Sequence, residues 1–322
     1  MSMFHHLKDK HYFALLLILI FSFIAFTYAH PDTYDSYIDF SKGTPFTPPR
    51  YSTAGSDAQE RPLRIVISTV ISPNVTIEDW RAFADYISKK LGRPTILLQR
   101  RSYKEIDQLL SNGDADISFM STGAYCSYHG IQQLDVLAMI FYQGTMDYKT
   151  YLIALSSRND INSMDDLRGK TMAFSDPLSY SGHINIVNEL NTRYATSPSH
   201  YFSNYIYTGS HDRSIWAVKN KLVDAACVDS LVYDLILGDH PEDTNGIKIF
   251  QTIGNIPIGP IVVRSDLPAE QKEKLQQLLF NMHNDPQMAK SLKKIMIDKF
   301  VAPQQQLYTP YKKIYDKVMT DL

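Results

Sequence analysis

From Leu63 onward, short apolar runs alternate with segments whose apolar residues recur every three to four positions, and at Tyr151 the alternation starts afresh. A strand, a helix and a second strand pair in parallel, because the helix is the crossover that parallel strands need. The pattern therefore predicts an α/β chain with helix-covered sheets, in two successive units. In the first unit, Leu63 to Thr69, Thr95 to Gln99, Ile117 to Met120 and Val136 to Tyr142 read as strands. Thr76 to Leu91, Tyr103 to Leu110 and Gly123 to Gln132 read as helices. Thr76 stands where a cap belongs, Trp80, Phe83, Ala84 and Ile87 share one face, and Gly92 is a stop. The second unit offers strands Tyr151 to Ser157, Thr171 to Phe174, Tyr205 to Thr208, Ala225 to Val228, Ile247 to Ile253 and Ile261 to Arg264. A helical turn at Met164 to Leu167 and helices Ser181 to Tyr194, Asp212 to Asn220 and Ser230 to Leu237 separate them. Helices Ala269 to His283, Gln287 to Ile297 and Pro310 to Met319 end the chain.

Ahead of this pattern, Lys8 and Lys10 precede an almost unbroken apolar run from Tyr12 to Ala29. Residues 1–29 fit a secretory signal with a small-residue end, and the run is also nearly long enough to stay as a membrane anchor. Either way the body is expected outside the cytoplasmic membrane: periplasmic or extracytoplasmic, secreted or tethered by residues 12–29. Residues 30–62 carry Pro31, Pro45, Pro48, Pro49, Gly43 and Gly55 with little apolar periodicity, which reads as a flexible linker. A net charge of -2 gives no basic face for nucleic acid, so none is expected as a partner. Cys126 and Cys227, the only two cysteines, sit in apolar settings far apart and read as buried free thiols. No cysteine spacing suits a metal, and no cofactor is expected.

The chemistry gathers around Asp166 to His183. Gly169 follows a helix end, Thr171 to Phe174 is a short buried strand, and Ser179, Tyr180 and Ser181 precede a helix. Hydroxyls beside unpaired N–H groups at a helix N-terminus make a seat for an anion. A serine there is also an ordinary cap. Gly209-Ser210-His211 precedes the next helix in the same way, so two helix starts and an imidazole can meet one anion.

Three stretches carry a resemblance: "DLRGKTMAFSDPLSYSGH", "TGSHDRSIWAVKNKLVDAACVDS" and "IPIGPIVVRSDLP", with "DWRAFADYISKKLGRPTILLQRRSYKEIDQLLSNGDADISFMSTGAY" upstream. Together they resemble the phosphate/phosphite/phosphonate-binding receptors of ABC importers, over nearly all of the chain from Leu63. The resemblance implies a two-lobed periplasmic-binding-protein fold of the second type, with two crossover strands. Lobe one would hold residues 63–149 and 252–322, and lobe two residues 150–251. It also implies a small oxyanion ligand between the lobes, an ABC permease as membrane partner and a monomeric receptor. Ser179, Tyr180 and Ser181 match the family's hydroxyl run, His211 its histidine turn, and Tyr125 and Tyr148 its first-lobe tyrosines. Asp229 falls near the cleft in the family pattern, although a carboxylate there also suits a helix cap.

Two positions depart from that pattern. Tyr180 stands where a small hydroxyl is usual. Gly259 stands where receptors that read an aminoalkyl tail carry an acid, which favours phosphite, phosphate or a short alkylphosphonate. An enzyme reading rests on Ser181, His211 and Asp229 as residue types of a hydrolytic triad, without a Gly-x-Ser-x-Gly elbow. A second rival keeps the apolar segment as an anchor and makes the chain a ligand-sensing ectodomain that acts through a partner.

Overall fold

The computed structural model describes residues 36–39 and 61–320, apart from 69, 72 and 101. The signal or anchor at residues 1–29 lies outside the described residues. No helix among those described is long and apolar enough to cross a membrane.

Two sheets organise the body. The first holds β1 (Ser36–Asp39), β2 (Leu63–Ile67), β3 (Thr95–Gln99), β4 (Ile117–Phe119), β5 (Leu134–Phe141), β11 (Ile261–Arg264) and β12 (Lys299–Val301), in the order β1-β3-β2-β4-β11-β5-β12. The second holds β6 (Asp147–Leu155), β7 (Thr171–Phe174), β8 (Asn204–Tyr207), β9 (Ala225–Asp229) and β10 (Ile247–Pro257), in the order β10-β6-β9-β7-β8. Parallel pairs β2/β3, β2/β4, β7/β8 and β7/β9 match the crossover logic of the sequence. The chain enters the second sheet along β6 and leaves it along β10. These two strands pair antiparallel from Leu155↔Ile247 to Asp147↔Pro257, with irregularities between Ile249 and Gln251 and between Ile253 and Ile256.

Helices cover both faces, so strand residues alternate between two cores. Leu63, Ile65 and Ile67 face one cluster with Trp80 and Phe83, while Val66 faces another with Tyr103 and Ile106. In the second sheet, Leu152, Met172 and Cys227 pack on one side, and Ile153, Ala173 and Val228 on the other. This period of two with apolar residues at both phases is the mark of strands buried on both faces. Both cysteines are buried and free.

The helices used below are α1 (Pro73–Leu91), α2 (Tyr103–Ser111), α3 (Thr122–Ser127), α4 (Asn185–Arg193), α5 (His211–Lys219), α6 (Ser230–Asp239), α7 (Ala269–Met282), α8 (Pro286–Lys294) and α9 (Thr309–Thr320). Several differ from the sequence reading. α1 begins at Pro73, since proline suits a first turn, and Thr76 lies inside it. α3 ends at Ser127 because Tyr128 is extended, at φ -69° and ψ 117°. The helix expected from Ser181 opens instead with a wide turn over Tyr180–Ile184, in which the Ile184 N–H donates to the Ser179 carbonyl five residues back. Ser36–Asp39, inside the stretch read as linker, pairs in parallel with Thr95 to Leu98. An open strand edge accepts any short extended segment, so four residues pair without any sequence periodicity. β12 is likewise too short to announce itself.

Phe119 joins these layers. Its ring lies 4.8 Å from Trp80 and 5.1 Å from Phe83, both edge to face. Replacing it with alanine removes a buried aromatic that its neighbours cannot fill. Phe119→Ala should therefore destabilise by about 3–5 kcal/mol, read as a lower denaturant midpoint with an unchanged slope.

Candidate functional site

A cavity of about 100 Å³ opens where residues from both sheets meet. Tyr103, Ser121, Thr122 and Tyr148 line it from one side, and Ser179, His211 and Asp229 from the other. Each of these except Tyr148 stands at or beside the start of a helical segment: α2, α3, the wide turn leading to α4, α5 and α6. Helix starts carry partial positive charge, and here five of them face one small space. Among the described residues that line it there is no lysine or arginine. These described residues offer an anion dipoles, hydroxyls and N–H groups.

His211 is the centre of the polar wall. It is buried, and its Nδ1 accepts the backbone N–H of Asp229 at 3.0 Å. That bond assigns the proton to Nε2, which lies 3.3 Å from Ser179 Oγ. Burial pushes the imidazole down to about 4, against the Asp212 carboxylate, so the ring is neutral near pH 7. Ser179 Oγ also accepts the Gly182 N–H at 3.1 Å. With both lone pairs of Ser179 engaged, its hydroxyl hydrogen is left to donate. Gly182 makes this convergence possible: a Cβ there would fall 1.9 Å from Ser175 Oγ and 2.9 Å from His211 Cε1.

Asp229 caps α6, with Oδ1 accepting from Leu231 N at 2.8 Å and Val232 N at 3.4 Å. Burial outweighs those bonds and raises the carboxyl to about 7. Tyr148 is buried, and its hydroxyl lies 3.4 Å from Thr122 Oγ1, which itself donates to the Pro257 carbonyl at 2.6 Å. Ser181 is buried beside the Tyr148 hydroxyl.

Three expected residues lie outside the cavity lining: Tyr125, Tyr180 and Ser181, the last behind the wall beside Tyr148. The Tyr125 ring packs 4.9 Å from Tyr308, with Lys312 Nζ 4.3 Å above it, because α3 presents Ser121 and Thr122 to the cavity and turns its next face to the core. The bulk of Tyr180 is accommodated by turning away: its ring packs edge to face on Tyr311 at 5.1 Å. Ser68, Gln99, Tyr103, Ser121 and Thr122 are polar lining residues that the sequence reading passed over. Ser121 and Ser102 were legible as caps, since each accepts an N–H three residues on.

The triad relay is not assembled. His211 Nδ1 meets the Asp229 backbone N–H rather than its carboxylate, and Nε2 faces Ser179 rather than Ser181. A hydrolytic histidine needs its Nδ1–H oriented by a carboxylate and its Nε2 on the nucleophile.

Residues 65–308 match the family described as "ABC transporter, phosphonate, periplasmic substrate-binding protein". The chain belongs to that family. It is 26% identical over 274 residues to the phosphonates-binding periplasmic protein of Escherichia coli (strain K12), covering 82% of this chain and 78% of that one. The phosphate-import protein PhnD of Mycolicibacterium smegmatis is 26% identical over 168 residues, 48% of this chain and 50% of that one. Among solved structures, a binding-protein component of an ABC phosphonate transporter from Pseudomonas aeruginosa superposes with a TM-score of 0.74 at 22% identity, covering 81% of this chain and 88% of that one. PhnD1 from Prochlorococcus marinus, in complex with methylphosphonate, gives 0.72 at 17% identity, covering 81% and 98%. The fold of this phosphonate-binding family member is that of a type 2 periplasmic binding protein.

Asp229 titrates higher in the fold than its ordinary 3.8. Its contribution to stability is complete below that value and is lost as pH rises toward 7. Asp229→Asn keeps the cap and removes the charge. The variant's thermal midpoint should gain on the wild type between pH 4 and pH 7 and level off above, by up to about 4 kcal/mol. A difference independent of pH would contradict the burial of an ionisable carboxyl.

Proposed function

We propose that this chain is the extracytoplasmic solute-binding component of an ABC importer, and that it binds a small phosphorus oxyanion in the cavity. Phosphite, phosphate and short alkylphosphonates form the ligand class. The observation that carries the reading is the meeting of five helix starts on one small cavity, with no lysine or arginine among its described lining residues, in a member of the phosphonate-binding family. Such a site suits a transport receptor, since hydroxyl and N–H donors hold a tetrahedral oxyanion reversibly. Ser179 and Tyr148 are proposed as the donors, with His211 holding the Ser179 hydroxyl in place and Ser181 standing behind the wall beside Tyr148. Asp229, neutral or charged around pH 7, would accept from a protonated ligand oxygen. Tyr125 and Tyr180 would act at a distance, by packing behind the wall.

Residues 63–149 with 252–322 form one lobe in this reading and residues 150–251 the other, closing about the paired strands β6 and β10. Two contacts support closure across the cleft: the His211 N–H donates to the Val70 carbonyl at 3.1 Å, and the Tyr103 N–H to Asp176 Oδ2 at 3.2 Å. A monomeric receptor would present both lobes to a permease in the membrane. The tethered sensing ectodomain is the alternative, and the mature N-terminus separates the two: a start near His30 marks a released receptor, an intact run at residues 12–29 a tethered one.

A thermal-shift panel of phosphite, phosphate, methylphosphonate and sulfate tests the ligand class. A ligand at a hundredfold its Kd should stabilise the protein by about 2.7 kcal/mol. Ser179→Ala should weaken that ligand by about tenfold or more, the loss of a hydrogen bond to a charged group. No shift with any phosphorus oxyanion would exclude the class.

A further inference from the structure

Tyr180 stands between Ser179 and Ser181 in the turn before α4, yet it lines no part of the cavity. It is 2% exposed. A large ring is therefore kept out of water next to the site without reaching what binds there.

Its neighbour is on the C-terminal helix. The Tyr180 and Tyr311 rings meet edge to face, 5.1 Å apart at 75°. Tyr311 is held in turn by the end of β10: its hydroxyl donates to the Asn255 carbonyl, and the Tyr308 hydroxyl donates to the Ile258 carbonyl. α9 packs against both α3 and α4. Tyr180 and Ile184 accordingly share one buried cluster with Ala124, Cys126 and Tyr308. Gly123 permits this approach, since a Cβ there would fall 1.9 Å from the Leu178 carbonyl oxygen and 2.8 Å from the Tyr180 nitrogen. α3 thus lies directly against the turn that carries Ser179.

In the two-lobe reading above, residues 150–251 hold Tyr180 and residues 252–322 hold Tyr311. The bonds from His211 N–H to the Val70 carbonyl and from Tyr103 N–H to Asp176 Oδ2 cross between the same lobes. Both use a backbone donor, which any side chain at those donor positions leaves in place. The ring pair depends on the side chain at 180, and a short hydroxyl residue there would leave Tyr311 without it. An aromatic pair of this geometry favours the joined state by about two- to tenfold beyond the area it buries.

Resting on that lobe reading, we infer that Tyr180 is a positioning residue, a strut that ties the anion turn to the C-terminal helix and biases the ligand-free receptor toward its closed form. A protein that binds in one conformation has an apparent affinity proportional to the fraction already in it. Tyr180 therefore favours binding without touching the ligand. It keeps Ser179 and its turn seated against α3 before an anion arrives.

Amide hydrogen exchange of the ligand-free receptor, resolved residue by residue, tests the strut. The Tyr103 and His211 N–H groups are bonded across the lobes, so their protection reports the ratio of closed to open. Tyr180→Thr should speed both by about two- to tenfold and leave the β9 amides of Ala225 to Val228 unchanged. Tyr311→Ala, at the half-buried partner, should do the same, and the double variant should add little to either. Tyr180→Phe keeps the ring and should exchange as the wild type does. Unchanged Tyr103 and His211 exchange in Tyr180→Thr and Tyr311→Ala, or an equal rise throughout β9, would overturn the strut. Wild-type Tyr103 and His211 amides that exchange only as slowly as those of β9 would overturn the lobe reading along with it. No phosphorus compound enters the measurement, so the ligand class stands or falls separately.

Discussion

The hydrogen bond from the Asp229 backbone N–H to His211 Nδ1 fixes the rest of the site. It sets the tautomer, and the tautomer turns an Nε2–H toward Ser179, whose own hydrogen is then left for a ligand. Burial keeps the ring neutral, so the wall donates without carrying charge. Reversing that one bond would make His211 an acceptor toward the cavity and repel an anion. Two elements meet in it: the start of α5 and the end of β9. The polar wall is therefore a property of the second sheet's packing, and Ala225 to Val228, buried to the last residue, is the part of the scaffold that holds it.

The absence of lysine and arginine among the described lining residues has a consequence for transport. A fixed cation would hold an oxyanion strongly and slow its release. Helix dipoles and hydroxyls fall off over a short distance, so a modest opening between the sheets weakens all of them at once. The contacts from His211 N–H to Val70 and from Tyr103 N–H to Asp176 join the two sides without a ligand in them. In the proposed closure, paired strands β6 and β10, with two irregularities in their ladder, would be the place where the chain bends.

The fold was legible because its strands are buried on both faces and its helices are amphipathic, two periods that seldom imitate one another. Ile261 to Arg264 was read to the residue, and Thr171 to Phe174 likewise. Ser36–Asp39 and Lys299–Val301 were not, since an edge strand of three or four residues has no period to detect. Ser179, His211, Tyr148 and Asp229 line the cavity, and hydroxyls, histidine and carboxylate before helices are what drew the sequence reading to them. Within one short segment the sequence reading picked Tyr125, whereas Ser121 and Thr122, at the cap end of α3, are the residues that line the cavity. Met296, another lining residue, carried no sequence signal, because nothing in "KKIMIDKF" says that a methionine will sit at φ 60°.

The central claim is that an anion sits beside Asp229, with no lysine or arginine among the described lining residues, so binding should draw a proton to the pair. Asp229 is raised to about 7, chiefly by burial, and an oxyanion bound beside it would raise it further. Calorimetry of methylphosphonate binding at pH 8, repeated in buffers of different ionisation enthalpy, measures that proton directly. The structure predicts net uptake approaching about one proton per ligand. Binding with no proton uptake, or with release, would place the anion away from Asp229 and contradict the site.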